Sequence, residues 1–323
     1  QGDELRFVAL RDGKPIPKAQ FDAVGRGLKN VKFQAGPDGS VGRLTTERID
    51  ARAWGLLDPR GLTVDPASGR LFVLDAGPRI VRIDPDARVG FHRPLISAID
   101  LAPAASSHVR GIAFDPTSGH IHVFDPVAQA IHEVSQSGQI VATWDVAEFG
   151  LRDPKAMTFG PTGDATDDPS AMGLYIASGD RITELSLVEL AATAAPVATG
   201  TLVRTTETSR FSPPSPDPSG ITYAAHRGTL VIGDGEVNEM PIYAGANMFE
   251  TTLSGTLSRT WTTLTFSNEP TGTAYNPVNR HLFISDDDDR QIYEVDPGAD
   301  GLYRTADDRL TSFDTGVFGC TDP

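Results

Sequence analysis

Cysteine is almost missing from this chain of 323 residues: Cys320 stands alone and cannot close an internal disulfide. No Cys/His spacing of the zinc type accompanies it. No apolar run approaches the roughly eighteen residues that a membrane-spanning helix needs, which excludes that class. Positive charge is also scarce, with 28 Lys and Arg against 43 Asp and Glu and a net charge of −15. That is the wrong sign for a protein that neutralises nucleic-acid phosphates or an anionic membrane. The imbalance is uneven, because residues 1–32 carry +3 and residues 33–323 carry −18. Cations are the natural partner of the larger part. No signal segment is visible, but the chain opens on Gln1, as a mature N-terminus would after processing. The expectation is a secreted, periplasmic or cell-surface protein.

What the chain has in quantity is punctuation. With 32 glycines and 24 prolines, few stretches are long enough for helix, while short Val/Ile/Leu/Phe/Tyr runs recur between them. An all-β fold is expected. Self-comparison sharpens this. Asp58-Pro-Arg-Gly-Leu-Thr-Val-Asp-Pro returns as His108-Val-Arg-Gly-Ile-Ala-Phe-Asp-Pro, Asp153-Pro-Lys-Ala-Met-Thr-Phe-Gly-Pro, Asp217-Pro-Ser-Gly-Ile-Thr-Tyr-Ala-Ala and Glu269-Pro-Thr-Gly-Thr-Ala-Tyr-Asn-Pro. Successive copies begin 50, 45, 64 and 52 residues apart.

Each copy continues into an apolar strand: Leu71–Asp75, Ile121–Asp125, Leu174–Ser178, Leu230–Asp234 and Leu282–Asp286. A third, alternating strand follows, with apolar pairs Ile80/Ile83, Ile131/Val134, Ile182/Leu185, Met240/Tyr243 and Ile292/Val295. A polar, Thr/Ser-rich strand closes the unit, as in Ile140–Asp145 and Leu310–Asp314. A sheet graded from apolar to polar fits a β-propeller blade, whose inner strands are covered on both faces and whose outer strand meets water. Residues 58–316 read as five blades of one domain, 1–323. Residues 1–57 contain Leu44–Asp50, which matches a fourth strand, and are expected to build a sixth blade or a closing segment, with 317–323 as the closing loop.

The pattern G-[LI]-[TA]-[VFY]-D-P, then [LI]-[FHY]-V-x-D, then I-x-x-[IV]-D-P, resembles the NHL/SMP-30-like superfamily of β-propellers over nearly all of residues 58–316. That resemblance implies a six-bladed ring, but it implies no single activity. The superfamily includes lactonases, phosphotriesterases, lyases and binding modules.

The repeat puts one residue just ahead of each innermost strand: Asp58, His108, Asp153, Asp217 and Glu269, with Asp322 near the chain end. In a propeller these positions converge on one mouth of the central channel. Five carboxylates and an imidazole at close range repel unless they protonate, are hydrogen-bonded or hold a cation. Calcium, with six to eight oxygen ligands, suits such a ring. The plainer reading is a turn, with Arg60, Arg110 and Lys155 as neutralising partners two residues on. A second column, Asp75, Asp125, Ser178, Asp234 and Asp286, reads either as turn-holding residues or as an acidic rim. Asp286–Asp289 is either a solvated loop or a place where two carboxylates share an ion. Asp296, Asp300, Asp307 and Asp308, spaced about the Asp300-Gly301 turn, read either as a calcium loop or as a hairpin, and Gly163–Asp168 is a weaker echo.

For catalysis, no Gly-x-Ser-x-Gly elbow occurs, and His108 is the remaining candidate base. The SMP-30-like resemblance implies calcium held by a Glu/Asn/Asp set with a metal-bound water, but the Glu-Gly-Pro motif and channel asparagines have no counterpart in register. The function expected is therefore a calcium-binding interaction module. It would meet a protein, glycan or small molecule through an acidic channel face. The alternative is a calcium-dependent hydrolase of the lactonase, esterase or phosphotriesterase type.

Overall fold

A computed structural model describes residues 54–57, 59–75, 79–86, 90–101, 108–168, 170–187 and 197–314, together with four short strands nearer the N-terminus. Those four form two antiparallel hairpins, β1 (Leu10–Arg11) with β2 (Lys14–Pro15) and β3 (Gln20–Gly25) with β4 (Leu28–Gln34).

The remaining strands build five four-stranded antiparallel blades in chain order. Blade 1 comprises β5 (Pro59–Val64), β6 (Leu71–Asp75), β7 (Arg79–Asp86) and β8 (Gly90–Asp100). Blade 2 comprises β9 (Arg110–Phe114), β10 (Ile121–Asp125), β11 (Ala130–Val134) and β12 (Ile140–Asp145). Blade 3 comprises β13 (Pro154–Pro161), β14 (Met172–Ser178), β15 (Arg181–Leu187) and β16 (Val197–Glu207). Blade 4 comprises β17 (Pro218–Ala224), β18 (Thr229–Asp234), β19 (Met248–Thr252) and β20 (Leu257–Trp261). Blade 5 comprises β21 (Pro270–Tyr275), β22 (Leu282–Asp286), β23 (Gln291–Asp296) and β24 (Arg309–Asp314). Blades 2 and 3 are also joined at their outer edges, where β12 pairs with β16 in parallel.

The blade count is five among the described residues, where six were expected. The N-terminal residues contribute hairpins, and both Leu44–Asp50 and the closing loop 317–323 lie outside the described residues. Among the described residues β21 lies against β5, and Val278 of blade 5 reaches to 3.9 Å of where a Cβ on Gly69 of blade 1 would fall. A second correction concerns blade 4, where Met240 and Tyr243 were expected on the third strand. The strand is Met248–Thr252, because a short 3₁₀ turn occupies Val237–Glu239 and Pro241 follows it. Proline lacks the N–H that an interior ladder needs.

Alternate residues of the second strands of blades 2, 3 and 4 pack against opposite neighbours. Leu174 and Ile176 join a core with Phe124, Ile131 and Trp144 of blade 2, whereas Tyr175 and Ala177 pack against Ile221, Leu230 and Phe249 of blade 4. Ile121 and Val123 face Phe72, Leu74 and Ile80 of blade 1 in the same manner. The unbroken apolar run of these strands thus has the cause usual in sheets covered on both faces.

Two repeated polar devices tie the blades. The threonine of the Gly-Leu-Thr type motif accepts a backbone N–H from the next blade: Thr63 from Phe114 at 3.0 Å, Thr158 from Tyr223 at 3.3 Å and Thr222 from Tyr275 at 3.1 Å. The second acidic column holds the start of the inner strand to the end of the second. Buried Asp75 accepts from Leu57 N at 3.0 Å, Asp234 from Asp217 N at 3.0 Å and Asp286 from Asn268 N at 3.0 Å. Asp234 and Asp286 also cap the following turn through Val237 N at 3.0 Å and Asp289 N at 2.7 Å. Ser178 replaces the carboxylate in blade 3 with one bond, from its Oγ to the Arg152 carbonyl at 2.6 Å. This column is a set of clamps inside the blades and not an exposed rim.

Asp234→Ala removes an acceptor shared by Ser215 Oγ, Asp217 N and Val237 N, and is expected to lower the urea unfolding free energy by about 4 kcal/mol. Ser178→Ala removes one bond and should cost about 1 kcal/mol. Similar losses for the two variants would show that the carboxylate column does not fasten the blades.

Candidate functional site: the acidic mouth of the channel

The Asp-Pro-x-Gly sequence places a carboxylate just before each inner strand and a bulge just after it, with the register shifting between Pro218 and Gly220 and between Pro270 and Gly272. Glycine is needed at the bulge because the inner strands approach closely there. A Cβ on Gly220 would lie 2.7 Å from the amide nitrogen of Thr273 on the next blade. The inner strands neighbour one another from β5 through β9, β13, β17 and β21, so their opening residues share one face of the ring. Asp58 and Asp322 lie outside the described residues. His108 is exposed at the start of blade 2.

Three carboxylates of this column can be followed. Asp153, at φ 48°, accepts from Arg110 Nη1 at 3.0 Å across the junction of blades 2 and 3, with both side chains more than half exposed. Asp217 takes Lys155 Nζ at 2.7 Å on each oxygen across the next junction. The rule is that the residue two positions into one blade's opening motif neutralises the carboxylate of the following blade. Exposed pairs of the first kind contribute little to stability, at most about 1 kcal/mol.

At the junction of blades 4 and 5 the rule fails, because Ser219 occupies the position of the base. Its hydroxyl turns to the Asp217 carbonyl at 3.0 Å. Glu269 therefore faces Asp287, Glu236 and Asp288, and its carboxyl is pushed up to about 8 by burial first, then by its hydrogen bond with Asp287 and by the three neighbouring charges. In the run Asp286–Asp289, then, Asp286 is a buried clamp while Asp287 and Asp288 add to this cluster.

In the loop after β23, Asp296 caps Gly298 N at 3.0 Å and Asp300 caps Leu302 N at 2.7 Å. Asp307 accepts Ala299 N at 2.8 Å, and Asp308 accepts Arg304 N at 2.5 Å. The Thr305 hydroxyl lies 3.4, 2.9 and 2.8 Å from Asp300, Asp307 and Asp308. Burial pushes Asp308 up, whereas the Thr305 hydroxyl and the Ala299 amide hold Asp307 down. Among the described residues, no three carboxylate, imidazole or thiolate groups form a ready-made cation site. The echo in blade 3 folds on itself in the same way, with Asp164 capping Thr166 and Asp168 capping Ser170.

The other histidines belong to the blades. His120 Nδ1 meets Glu133 at 2.6 Å and His281 Nδ1 meets Glu294 at 2.6 Å. His122 is buried against Phe159, and burial pushes its imidazole down to about 4, so it is neutral near pH 7. A further column escaped the sequence reading: Glu133, Glu184, Glu250 and Glu294 stand two residues after Ile131, Ile182, Met248 and Ile292 in the third strands of blades 2 to 5. Each ties its strand to the turn between strands one and two, as Glu184 does to Gly163 N at 2.7 Å and Glu250 to Thr229 Oγ1 at 2.7 Å. The signal was present in the repeat, in motifs such as Ile182-Thr-Glu-Leu and Ile292-Tyr-Glu-Val.

No protein-family model and no curated protein matches the chain. Solved structures do. The β-propeller domain of Cps50 (Swd1) from Myceliophteria thermophila is 12% identical over 80% of this chain and 72% of its own, with a TM-score of 0.43. A chain of a nidogen/laminin complex is 14% identical over 88% and 94%, with a TM-score of 0.48. A protein of unknown function from Bacteroides caccae is 11% identical over 75% and 78%, with a TM-score of 0.45. The architecture rests on the sheets themselves: the chain is an all-β β-propeller with four-stranded antiparallel blades.

The raised Glu269 carboxyl has a pH consequence. Between its ordinary value of 4.5 and about 8 the folded chain holds a proton that the unfolded chain has lost, so this group lowers stability as pH rises through that window. Glu269→Gln, which cannot ionise, is expected to melt above the parent protein beyond about pH 8 and to lose that difference at acid pH. A pH-independent difference in melting temperature would refute the assignment.

Proposed function

We propose that this protein is a binding module whose partner presents positive charge to the acidic mouth between blades 4 and 5. The observation that carries the reading is the break in pairing around the ring. Arg110 and Lys155 answer the carboxylates of blades 3 and 4, whereas Glu269 is left among Glu236, Asp287 and Asp288. A lysine or arginine side chain, or a metal cation, brought to that point relieves the repulsion that favours the protonated form of Glu269. The net charge of −15 adds long-range attraction for such a partner.

Calcium is part of the proposal, at the loop that contains Asp296, Asp300, Asp307 and Asp308. One Thr305 hydroxyl hydrogen cannot serve three carboxylates, and a hard cation satisfies several oxygens at once. Placement in the NHL/SMP-30-like superfamily is supported by the repeat. The hydrolase alternative would draw on the same mouth with His108 as base, and no particular observation favours it.

Fluorescence anisotropy with a synthetic lysine-rich peptide at low salt tests the mouth. The triple variant Glu236→Gln, Asp287→Asn, Asp288→Asn should bind about tenfold more weakly, while neutralising Asp164, Asp167 and Asp168 elsewhere should change little. Equal losses in the two triple variants would reduce the effect to overall charge and sink the reading. For the loop, calcium should raise the melting temperature relative to chelator, and Asp307→Asn should shrink that increment; identical melting with and without calcium would rule out the metal.

A further inference from the structure

We propose that the opposite mouth of the channel, at the far ends of the inner strands, is a binding site for a small neutral molecule with an aromatic ring and one hydrogen-bond acceptor. A cavity of about 160 Å³ lies there, walled by the seventh residue of each nine-residue repeat motif: Val64, Phe114, Phe159, Tyr223 and Tyr275. An apolar cavity of about 150 Å³ stays dry and accepts a benzene ring. This one has a rim of exposed residues, Pro116 and Ala225.

The ligand's charge follows from the lining. In a chain of net charge −15, no charged side chain among the described residues borders this cavity. An ion entering it would give up hydration without gaining a counter-charge, so a neutral molecule is selected. Three hydroxyls supply orientation. Tyr223 and Tyr275 are held protonated well above neutral pH by burial, which leaves their phenols as donors. The Thr273 hydroxyl is buried at the wall and has no hydrogen-bond partner.

The walls are also fixed before any ligand arrives. The backbone N–H groups of Phe114, Tyr223 and Tyr275 are each bound by the threonine of the preceding blade. Phe159 is held by the edge of His122, with ring centroids 4.8 Å apart. A preformed apolar pocket with a few placed polar groups is the usual form of a small-molecule site. It is independent of the acidic mouth, which lies at the other end of the same strands.

Three isosteric probes separate this site from the acidic face: benzamide, benzoate and benzamidinium. Saturation-transfer NMR and calorimetry on the full chain should show millimolar benzamide binding, with both ions at least about tenfold weaker. Ala225→Trp puts an indole at the exposed rim and should weaken benzamide about tenfold with the melting temperature unchanged. Tyr223→Phe removes one donor and should weaken benzamide but not toluene. Benzamidinium binding best would locate the interaction at the acidic mouth and overturn the proposal. So would benzamide binding that is absent, or that Ala225→Trp leaves unaltered.

Discussion

The whole molecule depends on a burial constraint: the inner strands of a blade are apolar on both faces, and no blade can cover both by itself. Tyr175 and Leu174 are neighbours in sequence, yet one is buried against blade 4 and the other against blade 2. A middle sheet such as that of blade 3 is therefore stable only between two others, which carries the blades round the channel. Bringing the inner strands together at its centre requires small residues at the bulge, as at Gly220. It also requires partners for backbone groups that point away from their own sheet. The threonines of the repeat meet that need at three junctions.

Polar residues then divide by depth. The aspartates that end the second strands are buried and take backbone N–H groups, so their charge is used inside the blade. The carboxylates that open the inner strands are nearer the surface and are answered by a base from the preceding blade. Where that base is Ser219, four carboxyl groups gather, and proton uptake by Glu269 takes the place of a counter-charge. A single substitution in one repeat unit is thus enough to make the junction of blades 4 and 5 differ chemically from the two before it.

Much of this was legible before the structure. Gly/Pro spacing and the nine-residue motif located the inner and second strands of all five blades within a residue or two. The reading of the third strand failed in blade 4, since Met240 and Tyr243 have the right spacing but Pro241 denies the ladder an N–H. Arg110 and Lys155 were visible as neutralising groups, but which carboxylate each would meet was not, because the pairs cross from one blade to the next. The glutamates at positions 133, 184, 250 and 294 recur with the repeat and could have been found by aligning third strands. Their strong single partners, such as the Gly163 amide, come from turns of varied length and were not readable.

The sequence by itself determined the class of fold, the order of strands within a blade and the existence of two acidic columns, because those depend on local periodicity and turn chemistry. Only the tertiary structure decided that one column is internal, that the other is neutralised at two junctions and exposed to repulsion at a third, and that β21 meets β5 after five blades among the described residues. It alone also turned a scattered set of residues, Val64, Phe114, Phe159, Tyr223 and Tyr275, into one apolar wall. The reason is geometric. A repeat states what each blade contains, but contacts between blades depend on which residues the ring brings face to face.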